Sequence, residues 1–149
     1  MIFISLFIVS CDKDKPTETV AELDYLTVNL QPFYGLDSLY LDSTYLTSEG
    51  YKVKFTDIRC FITNIKNGDS VLNEASLYDY REAGKFLFRS QGRPVDYNNL
   101  SALIGVDSSI NHSDPSAFPN ESVLNISNAG TMHWGWNPGY IFISVEGKV

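Results

Sequence analysis

Cysteine is nearly missing from this sequence. Its 149 residues include two, Cys11 and Cys60, and histidine is as scarce, with His112 and His133 alone. So little sulfur excludes a disulfide framework, and the domain must hold itself together by burial. Basic residues are also short, 11 Lys and Arg against 18 Asp and Glu, for a formal net charge of -7. An acidic surface repels phosphate backbones, which argues against nucleic acid as a partner. No apolar run is long enough to span a bilayer as a helix. No segment carries an apolar stripe at helical spacing over a useful length. The signatures of catalysis are missing too. There is no G-x-S-x-G elbow, no Cys-His pair with a positioning partner and no phosphate-binding glycine loop. The carboxylates are scattered, with no spacing that singles out an acid/base pair. The chain is therefore expected not to be an enzyme.

What the chain does have is aromatic bulk, nine Tyr and nine Phe, which suits a pleated, half-buried surface. "LDYLTVNLQPF" alternates, with Leu26, Val28 and Leu30 on one face, as a half-buried strand does. "GLDSLYLD" predicts a turn and a short strand through Leu39 and Leu41. In "SEGYKVKFTDI", Gly50 marks a turn, after which Tyr51, Val53 and Phe55 are expected inside and Lys52, Lys54 and Thr56 outside. "RCFITNI" continues apolar to Ile65, and Asn67-Gly68 is a hairpin signal. "SVLNEASLYDY", "GKFLFRS", the continuous apolar "LSALIGV" and "GYIFISVEG" are further strands, with "LSALIGV" expected to be buried. The pattern predicts an all-β fold, an antiparallel β-sandwich or barrel-like domain. One long irregular segment, Asp107 to Gly130, interrupts it, and loops of that length are usually functional.

The N-terminus, "MIFISLFIVSC", is an uncharged apolar run ending in Ile8-Val9-Ser10-Cys11. It reads as the hydrophobic part of a secretion signal that resembles a lipobox, in which the cysteine is lipidated and becomes the mature N-terminus. The alternative is a buried N-terminal strand with a free thiol. Residues 1–11 are thus expected to be a lipoprotein signal peptide and 12–23, polar with one proline, a flexible tether. Residues 24–149 form the folded domain. The expected location is the cell envelope, with a lipid anchor in the outer membrane.

Both tryptophans and one histidine crowd into "MHWGWNPGY", Met132 to Tyr140. Neutral imidazole suits copper, so His133 is a candidate ligand; it is equally a strand-end histidine bonded to a loop carbonyl. His112, on the long loop, supplies a second imidazole if the loop folds back; otherwise it faces solvent. Met132 offers a thioether or fills the core. Trp134 and Trp136, two apart, either line a site or cap the core. Asp107, Asn111 and Asp114 are oxygen donors whose spacing fits turn-capping better than calcium.

Three stretches in order, "YKVKFTDIRCFITNIK", "LSALIGVDSSINHSDP" and "MHWGWNPGYIFISVEG", are similar to the MbnP-like family (methanobactin-associated periplasmic copper-binding protein-like), in its Bacteroidetes lipoprotein type. The resemblance implies an extracytoplasmic copper-binding or copper-handling lipoprotein with metal ligands His133 and His112. It also implies that Trp134 or Trp136 lines the site or is oxidised by a di-haem peroxidase-type partner. Cys60 and Phe61 stand where the family usually has an aromatic pair. Family members continue beyond the closing "EG", so the chain is expected to be a C-terminally truncated fragment. The competing reading is a surface-exposed carbohydrate- or protein-binding β-sandwich module without metal, its Trp and Tyr rings serving as a stacking surface.

Overall fold

The structure, a computed structural model, describes residues 24–134 and 139–149. Its centre is one long strand, β5 (Lys52–Asn67). Strand β6 (Ser70–Asp79) returns along it in a hairpin. The turn sits where Asn67-Gly68 predicts it, and Gly68 supplies the positive φ of 59° that a tight hairpin needs. The short strand β4 (Thr44–Leu46) pairs with the start of β5. Strands β8 (Leu100–Ile104) and β9 (Ile143–Lys148) also pair with β5. Arg59 and Cys60 pair with β6 and β9 at once, so these two strands flank opposite edges of β5. Ile62 and Thr63 likewise pair with both β6 and β8. All pairings are antiparallel. Strands β8 and β9 thus lie end to end along one edge.

A second, two-stranded sheet of β1 (Tyr25–Asn29) and β7 (Phe86–Gln91) packs on one face of the main sheet. There Val28, Leu30, Leu87 and Phe88 meet Cys60, Ile62 and Ile65. The small hairpin β2 (Phe33–Tyr34) and β3 (Asp37–Ser38) lies beside it, and Leu39, Tyr78 and Tyr80 are buried in that region. The opposite face, carrying Phe61, Ala75 and Leu77, is covered by the long segment 106–132. With both faces covered, Phe61, Ile62 and Thr63 are buried in succession, so this stretch reads as a continuous apolar run instead of alternating. Asn64, at φ 52°, and the register shift between Thr63 and Lys66 change the phase of the pleat. Ile62 and Ile65 can then share a face.

The expected all-β antiparallel architecture is present, as an open pair of packed sheets with no closed barrel among the described residues. Four local expectations are corrected. Leu39 and Leu41 follow the β2–β3 hairpin and are not themselves strand, because the chain turns at Gly35 and needs Leu39 as a core plug. Tyr51 is exposed, since the turn before β5 lifts it off the sheet. Strand β8 is exposed along its whole length, not buried, because it occupies the sheet edge where no layer of the described residues covers it; burial resumes at Gly105 and Val106. The segment 107–130 is not irregular. Beyond α1 (Tyr80–Ala83), the turn between β6 and β7, it holds the single-turn helices α2 (Ser108–Asn111) and α3 (Ile126–Ala129) and contributes Leu124 and Ala129 to the core.

Candidate functional site

Capping chemistry fixes the long segment first. The Asp107 carboxylate accepts from the backbone N–H of Ser109 at the start of α2. Asp114 does the same for Ser116, and Asn125 for Ser127 at the start of α3. Side-chain oxygens at these positions satisfy N–H groups that a short helix leaves without partners. The serine hydroxyls add a second bond to each aspartate, and together these bonds hold both carboxyls below the usual carboxylate range. The oxygen donors are thus committed to turns, as their spacing suggested. Asn111 is the exception. Its Oδ1 accepts the backbone N–H of Tyr140 at 2.7 Å, which ties the loop to the tryptophan motif.

That motif has two bridged arms. The Trp134 N–H donates to the Gly139 carbonyl at 3.0 Å, and the Ile141 N–H to the Met132 carbonyl at 2.7 Å. His133 and Tyr140 form the antiparallel bridge between them. Gly139 has φ 148°, and a Cβ there would stand 3.3 Å from the Asn111 amide. The close approach of loop and motif therefore requires glycine.

Tyr140 is the hinge of the site. Its hydroxyl donates to the Leu124 carbonyl, and burial raises its pKa. Its ring lies edge-on to Phe61 at 5.3 Å and edge-on to His133 at 4.9 Å. His133 is partly buried at the rim of the core, and both its ring nitrogens are shielded from solvent. Among the described residues neither nitrogen has a hydrogen-bond partner. A buried polar group left so costs about 1–3 kcal/mol. Among the described residues, the loop carbonyl that the alternative reading gave His133 is not there. Its neighbour Met132 is fully buried in the core, so its thioether is packing.

His112 is exposed, and its Nδ1 donates to the Ser108 carbonyl at 2.8 Å, closing the end of α2. This leaves Nε2 as the nitrogen for any outside ligand. The loop does fold back on the motif, but through Asn111, the residue before His112. Trp134 is 45% exposed beside His133. Trp136 and Cys11 lie outside the described residues. No group of three or more His, Cys, Asp or Glu side chains gathers to hold a metal among the described residues. The described residues thus offer one imidazole with both nitrogens unpartnered, His133, and no closed cage around it.

The residues that build this arrangement run from Phe61 in β5 to Ile141, and one family model spans them: MbnP matches residues 24–149. The chain belongs to the MbnP family. No curated protein and no solved structure matches it. Within this MbnP domain, the loop "GVDSSIN" and the motif "MHWGWNPGY" are joined physically by the Asn111–Tyr140 bond. Sequence reading missed Tyr140 as the residue on which loop, core and His133 converge. The available signal was an aromatic placed directly after Asn-Pro-Gly, a sequence that signals a turn.

Proposed function

We propose that this MbnP domain is an extracytoplasmic copper-handling module, tethered to the outer membrane by a lipid on Cys11. Its role is binding, not catalysis. His133 is the primary donor to Cu(I), and His112, through Nε2, is the second imidazole. One observation carries the reading: both ring nitrogens of His133 are buried and, among the described residues, unpartnered, at a point where Asn111 and Tyr140 tie the loop to the core. A donor held at an energetic cost is what a preorganised metal site requires, and imidazole with few competing oxygen ligands suits copper. On this reading Trp134, exposed beside His133, faces a di-haem peroxidase-type partner, and Trp134 or Trp136 is the residue oxidised.

The test is Cu(I) titration of the full chain against a chromophoric chelator. The expected dissociation constant is about 1 μM or below, a binding free energy of roughly -8 kcal/mol. His133→Ala should weaken binding at least about tenfold, or 1.4 kcal/mol, and His112→Ala less. Affinity unchanged in His133→Ala removes His133 from the site. The half-exposed Trp134 ring supports the competing reading, a metal-free stacking surface. That reading predicts fluorescence quenching by glycans that persists in a metal chelator.

A further inference from the structure

His133 is partly buried, and neither of its ring nitrogens reaches solvent. A metal ion, or any electrophile, has to meet a nitrogen lone pair. The folded arrangement is therefore closed to both, and some part of it must move to admit them. The bonding pattern shows which part is held least.

The two arms of the motif hold each other. His133 and Tyr140 face one another between the Trp134–Gly139 and Ile141–Met132 hydrogen bonds. The two residues of such a pair exchange no bond between themselves, so the Tyr140 N–H points away from the His133 arm. It donates to Asn111 Oδ1 at 2.7 Å. The far half of the long segment is anchored deeply, by Leu124 and Ala129 in the core and by the Tyr140 hydroxyl on the Leu124 carbonyl. The turn that carries Asn111 is shallower. No residue of α2 is fully buried, and Ile110 packs on the core only in part. Within itself this turn is stiff. Asp107 caps it through Ser109, the Asn111 N–H donates to the Asp107 carbonyl at 2.7 Å, and His112 Nδ1 donates to the Ser108 carbonyl at 2.8 Å. A stiff, shallowly buried unit tied down by a side chain opens locally, without unfolding the core.

We infer that Asn111 is a latch on His133. When its bond to Tyr140 breaks, the 107–112 turn swings off the motif as a unit and the His133 nitrogens become reachable; while the bond holds, they are not. The turn carries His112, so the movement that opens the first imidazole also displaces the second. For copper, which rests on the reading above, the latch sets how fast the ion loads.

Diethyl pyrocarbonate, which acylates reachable imidazole nitrogens, tests the latch on the full chain with no metal present, each histidine being read by peptide mass spectrometry. His112 is exposed and should react fast, His133 slowly. The slowing of His133 should match the hydrogen-exchange protection of the Tyr140 amide within about threefold, because one opening governs both. That comparison needs no variant. Asn111→Ala should speed His133 by about 5–30-fold, the factor that loss of one hydrogen bond produces, and leave His112 unchanged. Asn111→Asp keeps an oxygen for the Tyr140 N–H and should restore the slow rate. Tyr78→Phe removes a hydrogen bond on the other face of the main sheet and should leave His133 slow, which separates the latch from general loosening. His133 labelled as fast as His112, at a rate unrelated to the Tyr140 amide, or indifferently to Asn111→Ala overturns the inference. Stopped-flow loading of Cu(I) should level off as Cu(I) rises, at a plateau that Asn111→Ala lifts by the same factor. Loading that never levels off while His133 labels slowly overturns the gating of copper. Latch-controlled labelling in a chain that binds no Cu(I) supports the latch and overturns the copper reading alone.

Discussion

The side-chain oxygen of Asn111 accepts the backbone N–H of Tyr140 at 2.7 Å, which brings together parts of the chain 29 residues apart. This single bond holds the capped loop against the motif that carries His133. Replacing Asn111 with Ala should leave a backbone donor unpaired in a partly buried place and cost about 1–3 kcal/mol. Denaturant unfolding measures the loss. Hydrogen exchange should show faster opening at Tyr140 and at Ser109, not at β1. Gly139→Ala should have a similar cost, because its φ of 148° and the 3.3 Å approach to Asn111 both oppose a side chain.

Tyr140→Phe keeps the edge-on contacts with Phe61 and His133 but removes the hydroxyl that bonds the Leu124 carbonyl. The buried carbonyl is then unsatisfied, and a loss of about 1–3 kcal/mol is expected. Tyr140→Ala should lose more, about 3–5 kcal/mol as for a buried aromatic, and should release the His133 ring. Thermal unfolding of the pair separates the bond from the ring.

Met132 distinguishes packing from ligation. It is fully buried among Phe61, Val106 and Leu124. Met132→Leu should cost under about 1.5 kcal/mol as a volume-conserving change and leave Cu(I) affinity intact. Met132→Ala should cost about 2–5 kcal/mol through the cavity it leaves. A loss of Cu(I) affinity in the leucine variant, with stability retained, would make the sulfur a ligand.

Alkaline pH should destabilise the fold through Tyr78. Burial, with the neighbouring Tyr80 and Cys60 adding to it, pushes its phenol from the usual 10 up to about 12. Its hydroxyl donates to the Leu30 carbonyl at 3.1 Å, which requires the protonated form. A group whose folded pKa lies above its unfolded value contributes stability that is complete below the unfolded pKa and is lost as pH rises through the folded one. Unfolding midpoints should therefore fall between about pH 10 and 12, and Tyr78→Phe should flatten that slope. An unchanged slope in the variant would assign the loss to other groups, such as Cys60, whose thiol burial also raises.

Much of the fold was legible because β1, β5, β6 and β7 carry their own signals, alternation or an Asn-Gly turn. Strand β8 misled because five apolar-leaning residues look the same whether they are buried or stranded at an edge; which applies depends on the layers, not on the segment. The long loop misled for a related reason. Its helices are single turns, too short for a periodic stripe, and it is ordered by Asp107, Asp114 and Asn125, whose capping is visible only once their partners are placed. The site was half legible. His133 stood out by residue type, but the burial of its ring nitrogens without a hydrogen-bond partner among the described residues depends on how it packs beside Tyr140. His112 was equally conspicuous, yet its Nδ1 closes a helix end.

The central claim, that His133 is a donor waiting for copper, is tested most directly by imidazole ¹⁵N–¹H NMR spectroscopy of the full chain during addition of Cu(I) under reducing, oxygen-free conditions. The account predicts that the ring resonances of His133 shift first and in stoichiometric proportion, with those of His112 following. Cu(I) bound at saturation with the His133 ring unmoved, or no binding at all, would contradict it.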